Sequence, residues 1–273
     1  MKPDALHSPP SMQVNAEFSV QSQQPARQVA GAADRGCSPI REVGKVAVMV
    51  LADIQQQARA WAWLRLVMGP RAFAATPGLG FVKVLGSGAG GGFGLAPSGT
   101  HRGLFLVFDE EANARAFINA SPLLNGYRER SREICVALLR AYSSKGSWDG
   151  AALRVSADAP VQGQPFGPIA ALTRATIKPQ HALPFWRLSP PAELALQTTE
   201  GCLLAAGLGE APLVRQATFS LWDSTAAMDA YARSGAHQQA IRRAYTGGYF
   251  SESMFVRFKP LEVRGVWQGR QHG

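Results

Sequence analysis

The chain repeats its own plan, and that repetition constrains its fold more than any other feature. Residues 104–124, LFLVFDEEANARAFINASPLL, run from an apolar strand through an Asp into a helix. Residues 217–237, ATFSLWDSTAAMDAYARSGAH, run the same way. Asp109 and Asp223 each close an alternating apolar run and open a helical one, a switch of hydrophobic period from 2 to 3.6. Each helix then meets a small-residue break, at Ser121-Pro122 and at Ser234-Gly235. Three residues beyond the Ser, the first copy has Leu124 and the second has His237. An imidazole that replaces an aliphatic side chain on an inward face marks the second copy as the one to search for a site.

The flanking segments complete both copies. In the first, VAVMVLAD from Val46 predicts a strand, QQQARAWAWLRLVMGPRAFAA a helix, and FVKVL, GLFLVF and ICVALLRAY further strands. In the second, IAALTRATI predicts a strand, HALPFWRLSPPAELALQ a helix broken at Pro190 and Pro191, and CLLAA, VRQATFSLW and MFVRFKPLEV the remaining strands. Trp63 and Trp186 take matching places on the first helices. The order is β-α-β-β-α-β twice over, so the expected class is α+β, with two ferredoxin-like repeats packed sheet to sheet as in a dimeric α+β barrel. Pairing the open faces buries both and implies a barrel-like core with room for a flat apolar ligand. The expected boundaries are a disordered tail over 1–42, a first half over 43–145, a linker over 146–167, a second half over 168–263 and a tail over 264–273.

With 273 residues, 46% hydrophobic and 17% charged, the chain can bury a substantial core. Its formal net charge of +9 predicts attraction to polyanions: nucleic acid, an anionic membrane face or an acidic protein. Cys37, Cys135 and Cys202 are far apart and form no metal-binding spacing, which suits a reducing compartment. The N-terminal residues lack the apolar core of a signal peptide, and no apolar run is long enough to span a bilayer. The expectation is a cytoplasmic protein, with peripheral attachment to the inner membrane face left open.

Gly86-Ser-Gly88-Ala-Gly90-Gly91 satisfies GxGxxG, but the segment after it leads into a strand. A phosphate cradle needs a helix N-terminus there, so the segment reads as a hairpin connection or lid. His237 lies on one helical face with Ala240, Ile241 and Ala244, opposite Gln238, Gln239, Arg242 and Arg243. It reads either as a core histidine or as an axial haem ligand, with Gly235, Ala236 and Ala240 giving a porphyrin room and Arg242 or Arg243 meeting its propionates. His181, at a helix start, can cap, line a cavity or lie exposed. Cys202 is conceivable as a thiolate ligand but reads better as a small packed side chain. Arg59 to Met68 (RAWAWLRLVM) reads equally as a helix packing Trp61, Leu64 and Met68 inward or as an interfacial membrane contact.

Four stretches carry a family resemblance: TPGLGFVKVLGSGAGGGFG (76–94), LLRAYSSKGSWDG (138–150), GPIAALTRATIKPQHALPFWR (167–187) and ATFSLWDSTAAMDAYARSGAHQQAIRRAYTGGYFSE (217–252). They resemble spheroidene monooxygenase, the acyclic carotenoid 2-ketolase of purple photosynthetic bacteria, from about Val46 to Pro260. The resemblance implies a carotenoid-biosynthesis oxygenase that uses haem b, O2 and external electrons to place a 2-keto group on spheroidene-type carotenoids. A ferredoxin-type donor is implied and nucleic acid is not. His237 becomes the implied iron ligand, with His181 as second candidate or distal residue. The ferredoxin-like haem proteins of the IsdG, chlorite dismutase and aldoxime dehydratase groups point the same way by fold analogy. Phe185, Trp186, Phe219 and Trp222 are the expected lining for a long polyene, or else core. The competing readings are a cofactor-independent monooxygenase of the same fold and a carotenoid- or haem-binding protein without turnover.

Overall fold

The computed structural model of the chain describes residues 40–92, 94, 96–156, 167–211, 213–233 and 235–273, and leaves the side chains of residues 188–194, 197, 236, 237 and 240 outside that description. The tail expected over 1–42 therefore lies outside it up to residue 39, as do Ser234 and 157–166 of the expected linker.

In the first half, β1 (Arg41–Val43) and β2 (Val46–Ile54) precede α1 (Arg59–Met68), β3 (Leu79–Gly88), β4 (Pro97–Phe108), α2 (Glu111–Ala120), α3 (Pro122–Arg130) and β5 (Ser131–Gly146). A short strand, β6 (Ala151–Leu153), then pairs in parallel with β1. The second half follows with β7 (Ile169–Ile177), α4 (Ala182–Thr198), β8 (Cys202–Ala211), β9 (Arg215–Trp222), α5 (Thr225–Ala232), α6 (Gly235–Thr246), β10 (Phe250–Trp267) and β11 (Arg270–His272). Both helical breaks fall where expected, after Ala120 and after Ala232. Neither Asp caps its helix: α2 starts after Glu110, and the Ser224 side chain accepts the Ala227 amide at the start of α5. α4 runs unbroken through Pro190 and Pro191, because its packing on α6 and β8 overrides the local penalty of the prolines.

Within each half the four long strands lie in the order fourth, first, third, second: β5-β2-β4-β3 and β10-β7-β9-β8. β3 pairs with β8, and β10 pairs with both β5 and β7. The eight strands therefore close edge to edge into one antiparallel barrel. This corrects the picture of two sheets packed only face to face, and it removes every free edge from the eight. The residues expected as a tail over 264–273 complete β10 and form the β10–β11 hairpin, with Trp267 in the core at 2% exposure. Gly146, assigned to the linker, still belongs to β5, and β1 takes Arg41 and Glu42 from the expected tail.

Strand alternation sorts side chains between the barrel interior and the helix-covered outer faces. Met49, Leu51, Phe105, Leu139, Leu172, Phe219, Val256 and Phe258 point inward into one shared cluster. The interior is filled, against the expectation of a roomy core: Trp148 stacks on Phe105 at 5.7 Å and meets Phe81 edge-on at 5.8 Å. Val48, Val50, Leu104, Leu106, Val136 and Leu138 point outward, under α1, α2 and α3. In the second half the outer cluster is smaller: Ile169, Ala171, Leu196, Trp222 and Met228.

Both ends of the barrel are closed by elements that the sequence reading left as connections. At one end the turn after β5 inserts Trp148, whose indole N–H donates to Glu210 at 2.9 Å. Lys83 pairs with Asp149 and with Glu210 (2.7 Å), and Arg174, 1% exposed, pairs with Glu252. Glu252 also accepts from Ser147 (2.8 Å) and from the Gly150 (3.0 Å) and Asp149 (3.1 Å) amides. Burial pushes the Glu252 carboxyl up, but these donors outweigh it and hold the pKa below the ordinary value. At the other end the glycine-rich segment after β3 seats Trp267. A Cβ on Gly91 would lie 2.7 Å from that indole, and Gln268 donates to the Gly90 carbonyl at 2.9 Å. The segment acts as a backbone seat for the C-terminal hairpin.

Candidate functional site

The outer face of the second half is the candidate floor of a site. Across β8, β9, β7 and β10 the register aligns Gly207, Thr218, Thr173 and Phe255, and beside them Ala205, Ser220, Ala171 and Arg257. Thr173, Thr218 and Ala205 sit in the middle of a helix-flanked sheet and are still half-buried rather than sealed. The matching rows of the first half are Val84, Leu104, Val50, Val136 and Val82, Leu106, Val48, Leu138. On β8, β9 and β7 small and hydroxylated residues thus stand where the other copy packs large aliphatic ones, while β10 carries Phe255 and Arg257 at these positions.

Aromatic side chains bank this floor at two ends. At one, Trp222 meets Tyr231 with centroids 5.4 Å apart, beside Leu196 and Met228. Burial pushes the Tyr231 phenol up, and pushes the Cys202 thiol in the same cluster up to about 11. That thiol donates to the Leu204 carbonyl at 3.7 Å; it packs as a neutral side chain and makes a poor thiolate ligand. At the other end, His181 stacks on Tyr249 at 4.6 Å and 9°. Phe185 meets Phe250 and Trp186, each at 5.9 Å, Tyr245 meets Phe250 at 5.6 Å, and the Trp186 indole N–H donates to the Leu213 carbonyl at 3.0 Å.

The expected site residues divide accordingly. His181, Phe185 and Trp186 come together on the start of α4. His237 lies in the first turn of α6, with its side chain outside the described residues; its counterpart Leu124 is fully buried on α3. Arg242 and Arg243 are exposed on α6. Phe219 and Trp222 cannot line one cavity: three residues apart on β9, they face opposite sides of the sheet, Phe219 into the filled interior and Trp222 toward the helices. The reading of the aromatics missed Tyr249 and Phe250, which follow the Gly247-Gly248 turn; their signal was a Tyr-Phe pair opening a strand beside a histidine-bearing helix start.

The residues fit a flat, largely apolar group between sheet and helices. Small side chains and Gly207 line the floor, aromatics flank it, and α6 carries a histidine and two exposed arginines. Among the described residues no three His, Cys, Asp or Glu side chains gather as they would around a bare metal ion.

Fold and floor together define an α+β barrel protein whose second half carries small side chains on the outer face of its sheet. No family model matches the chain. It is 53% identical over 230 residues to the spheroidene monooxygenase of Rubrivivax gelatinosus, covering 84% of this chain and 88% of that one. It is 34% identical over 214 residues to that of Rhodobacter capsulatus, covering 77% and 87%. An aldoxime dehydratase crystallised with butyraldoxime shares the fold with a TM-score of 0.52 at 9% identity, covering 88% of both chains. The chain belongs to the spheroidene monooxygenase family.

Proposed function

We propose that this protein is the carotenoid-biosynthesis monooxygenase that its family membership indicates. It introduces a 2-keto group into acyclic methoxy-carotenoids of the spheroidene type, using O2 and external electrons. The observation that carries this reading is the 53% identity to a spheroidene monooxygenase across most of both chains. Conversion of a methylene to a ketone takes two successive hydroxylations at one carbon, after which the gem-diol loses water. Both halves are taken to descend from one ferredoxin-like unit by duplication, a reading supported by their common strand order.

The same proposal puts haem b over the small-residue floor, with His237 as iron ligand, His181 as distal residue and Arg242 and Arg243 toward the propionates. Haem would supply dioxygen activation; the protein supplies the rest. Thr173, Thr218 and Ala205 give clearance, while Phe185 and Trp186 hold the polyene by apolar contact and help exclude water. The basic surface suits an acidic ferredoxin donor and a place on the cytoplasmic side, in contact with the membrane that dissolves the substrate.

The test is the absorption spectrum of protein expressed with sufficient haem, paired with co-expression in a spheroidene-producing host. A Soret band that is lost in His237→Ala and kept in His181→Ala, together with a red-shifted keto product, is the expected result. No Soret band but sustained product would leave a cofactor-independent oxygenase; a Soret band without product would leave a binding protein.

A further inference from the structure

The outward side of α1 reverses the usual pattern of a surface helix. Trp63, Leu64, Val67 and Met68 are 48%, 57%, 77% and 39% exposed, and Ala60 lies on the same side. Of the residues read as a packing stripe, Leu64 and Met68 thus face out, and only Trp61 packs inward, edge-on to Tyr127 at 4.9 Å. A helix that docks with one side and shows four large apolar side chains on the other has a second surface to cover.

The surroundings indicate what covers it. From residue 54 to residue 108 there is no carboxylate, while Arg59 and Arg71 flank the ridge exposed. Beside the ridge, a cavity of about 380 Å3 between α1 and α3 is lined by Trp61, Arg65, Leu123, Asn125, Glu129 and Arg130. The Arg65 and Arg130 guanidiniums lie over the Trp61 ring at 5.4 Å and 5.1 Å. Arg65 is half-buried, with its Nε sealed from solvent and without a hydrogen-bond partner among the described residues. Glu129 is the acid on this rim, largely exposed and paired to Arg130 at 3.0 Å. A second copy across a two-fold axis would set this patch against itself, arginine facing arginine. An anionic phospholipid surface answers both features, phosphates for the arginines and hydrocarbon for the ridge.

We infer that the ridge of α1 and the adjoining Arg65–Arg130 cavity seat the protein on a bilayer containing anionic phospholipid. The inference deepens the reading above, since a long polyene is met where it dissolves. It also assigns the contact to the half opposite the candidate site.

Co-sedimentation of the full chain with phosphatidylglycerol-containing vesicles, compared with pure phosphatidylcholine, tests it without carotenoid or haem. Partition onto the anionic vesicles should fall about tenfold or more in Val67→Glu and, separately, in Arg65→Gln/Arg130→Gln, and should weaken with salt. Unchanged circular dichroism shows that the variants fold. Equal partition of wild type and Val67→Glu, or no preference for phosphatidylglycerol, would overturn the inference. So would a concentration-dependent dimer in ultracentrifugation that Val67→Glu dissociates, which assigns the ridge to a second copy. Loss of vesicle binding with the Soret band and turnover of detergent-dispersed carotenoid intact separates this surface from the site; a missing Soret band with partition intact does the reverse.

Discussion

The two halves place their strands in one order and then treat the outer faces of those strands in opposite ways. On the first, Val50, Leu104 and Leu106 are at most 1% exposed beneath α1, α2 and α3. On the second, the matching register positions hold Thr173, Thr218 and Ser220, and two of these three are half-open. One half seals its outer face with aliphatic side chains; its sister buries less apolar surface at the matching positions. The proposed site on the less tightly packed unit follows the general pattern in which binding regions come from the low-stability end of a fold.

The largest effect that distinguishes the halves is truncation. Leu106→Ala should cost about 3 kcal/mol, because it empties a fully buried site, whereas Thr218→Ala should cost less than about 1 kcal/mol. Urea denaturation of both variants checks this, and equal costs would break the comparison. Next comes Glu252→Gln, which loosens a bond between the halves: Glu252 on β10 holds Arg174 of the second half and the turn after β5 of the first. A carboxyl whose folded pKa is held down stabilises at neutral pH and loses that contribution as pH falls through the folded pKa. The variant should therefore be about 2 kcal/mol less stable at neutral pH and show a shallower loss of stability on acidification, read by thermal melts across the acidic range. The smallest expected change is functional. Thr173→Leu should leave the melting temperature level or slightly higher while Soret absorbance and turnover fall on the order of tenfold. A variant that fills the floor and keeps full turnover would place the ligand elsewhere.

Much of this was legible in the sequence, and the failures have physical causes. Compact apolar composition located β2, and alternation closed by an Asp located β4 and β9. It did not separate Phe219 from Trp222, since both faces of β9 carry aromatics and only parity tells them apart. The ionic plug was missed because its members are scattered from Lys83 to Glu252. Each was visible singly: Lys83 within FVKVL and Arg174 within ALTRATI are charges at inward positions of apolar strands. Trp148 sits among Gly, Ser and Asp, a composition that reads as a linker until the ring is seen to fill a barrel end. For the candidate site, the sequence singled out the start of α4 through His181 and the first turn of α6 through His237. It did not reveal that the small residues lie on the outer face of the barrel, because that depends on which side of each strand they face.

β10 has a consequence for how the molecule comes into being. It follows the other seven barrel strands in the chain, and it bonds along much of its length to a strand of each half. A nascent chain can order its first half as it leaves the ribosome, but it cannot close the ring until β10 is free. Contacts spanning more than a hundred residues must then form together, which makes closure slow. Until that moment β5 and β7 present bare edges, so the interval between synthesis and closure is when the protein most needs protection from aggregation.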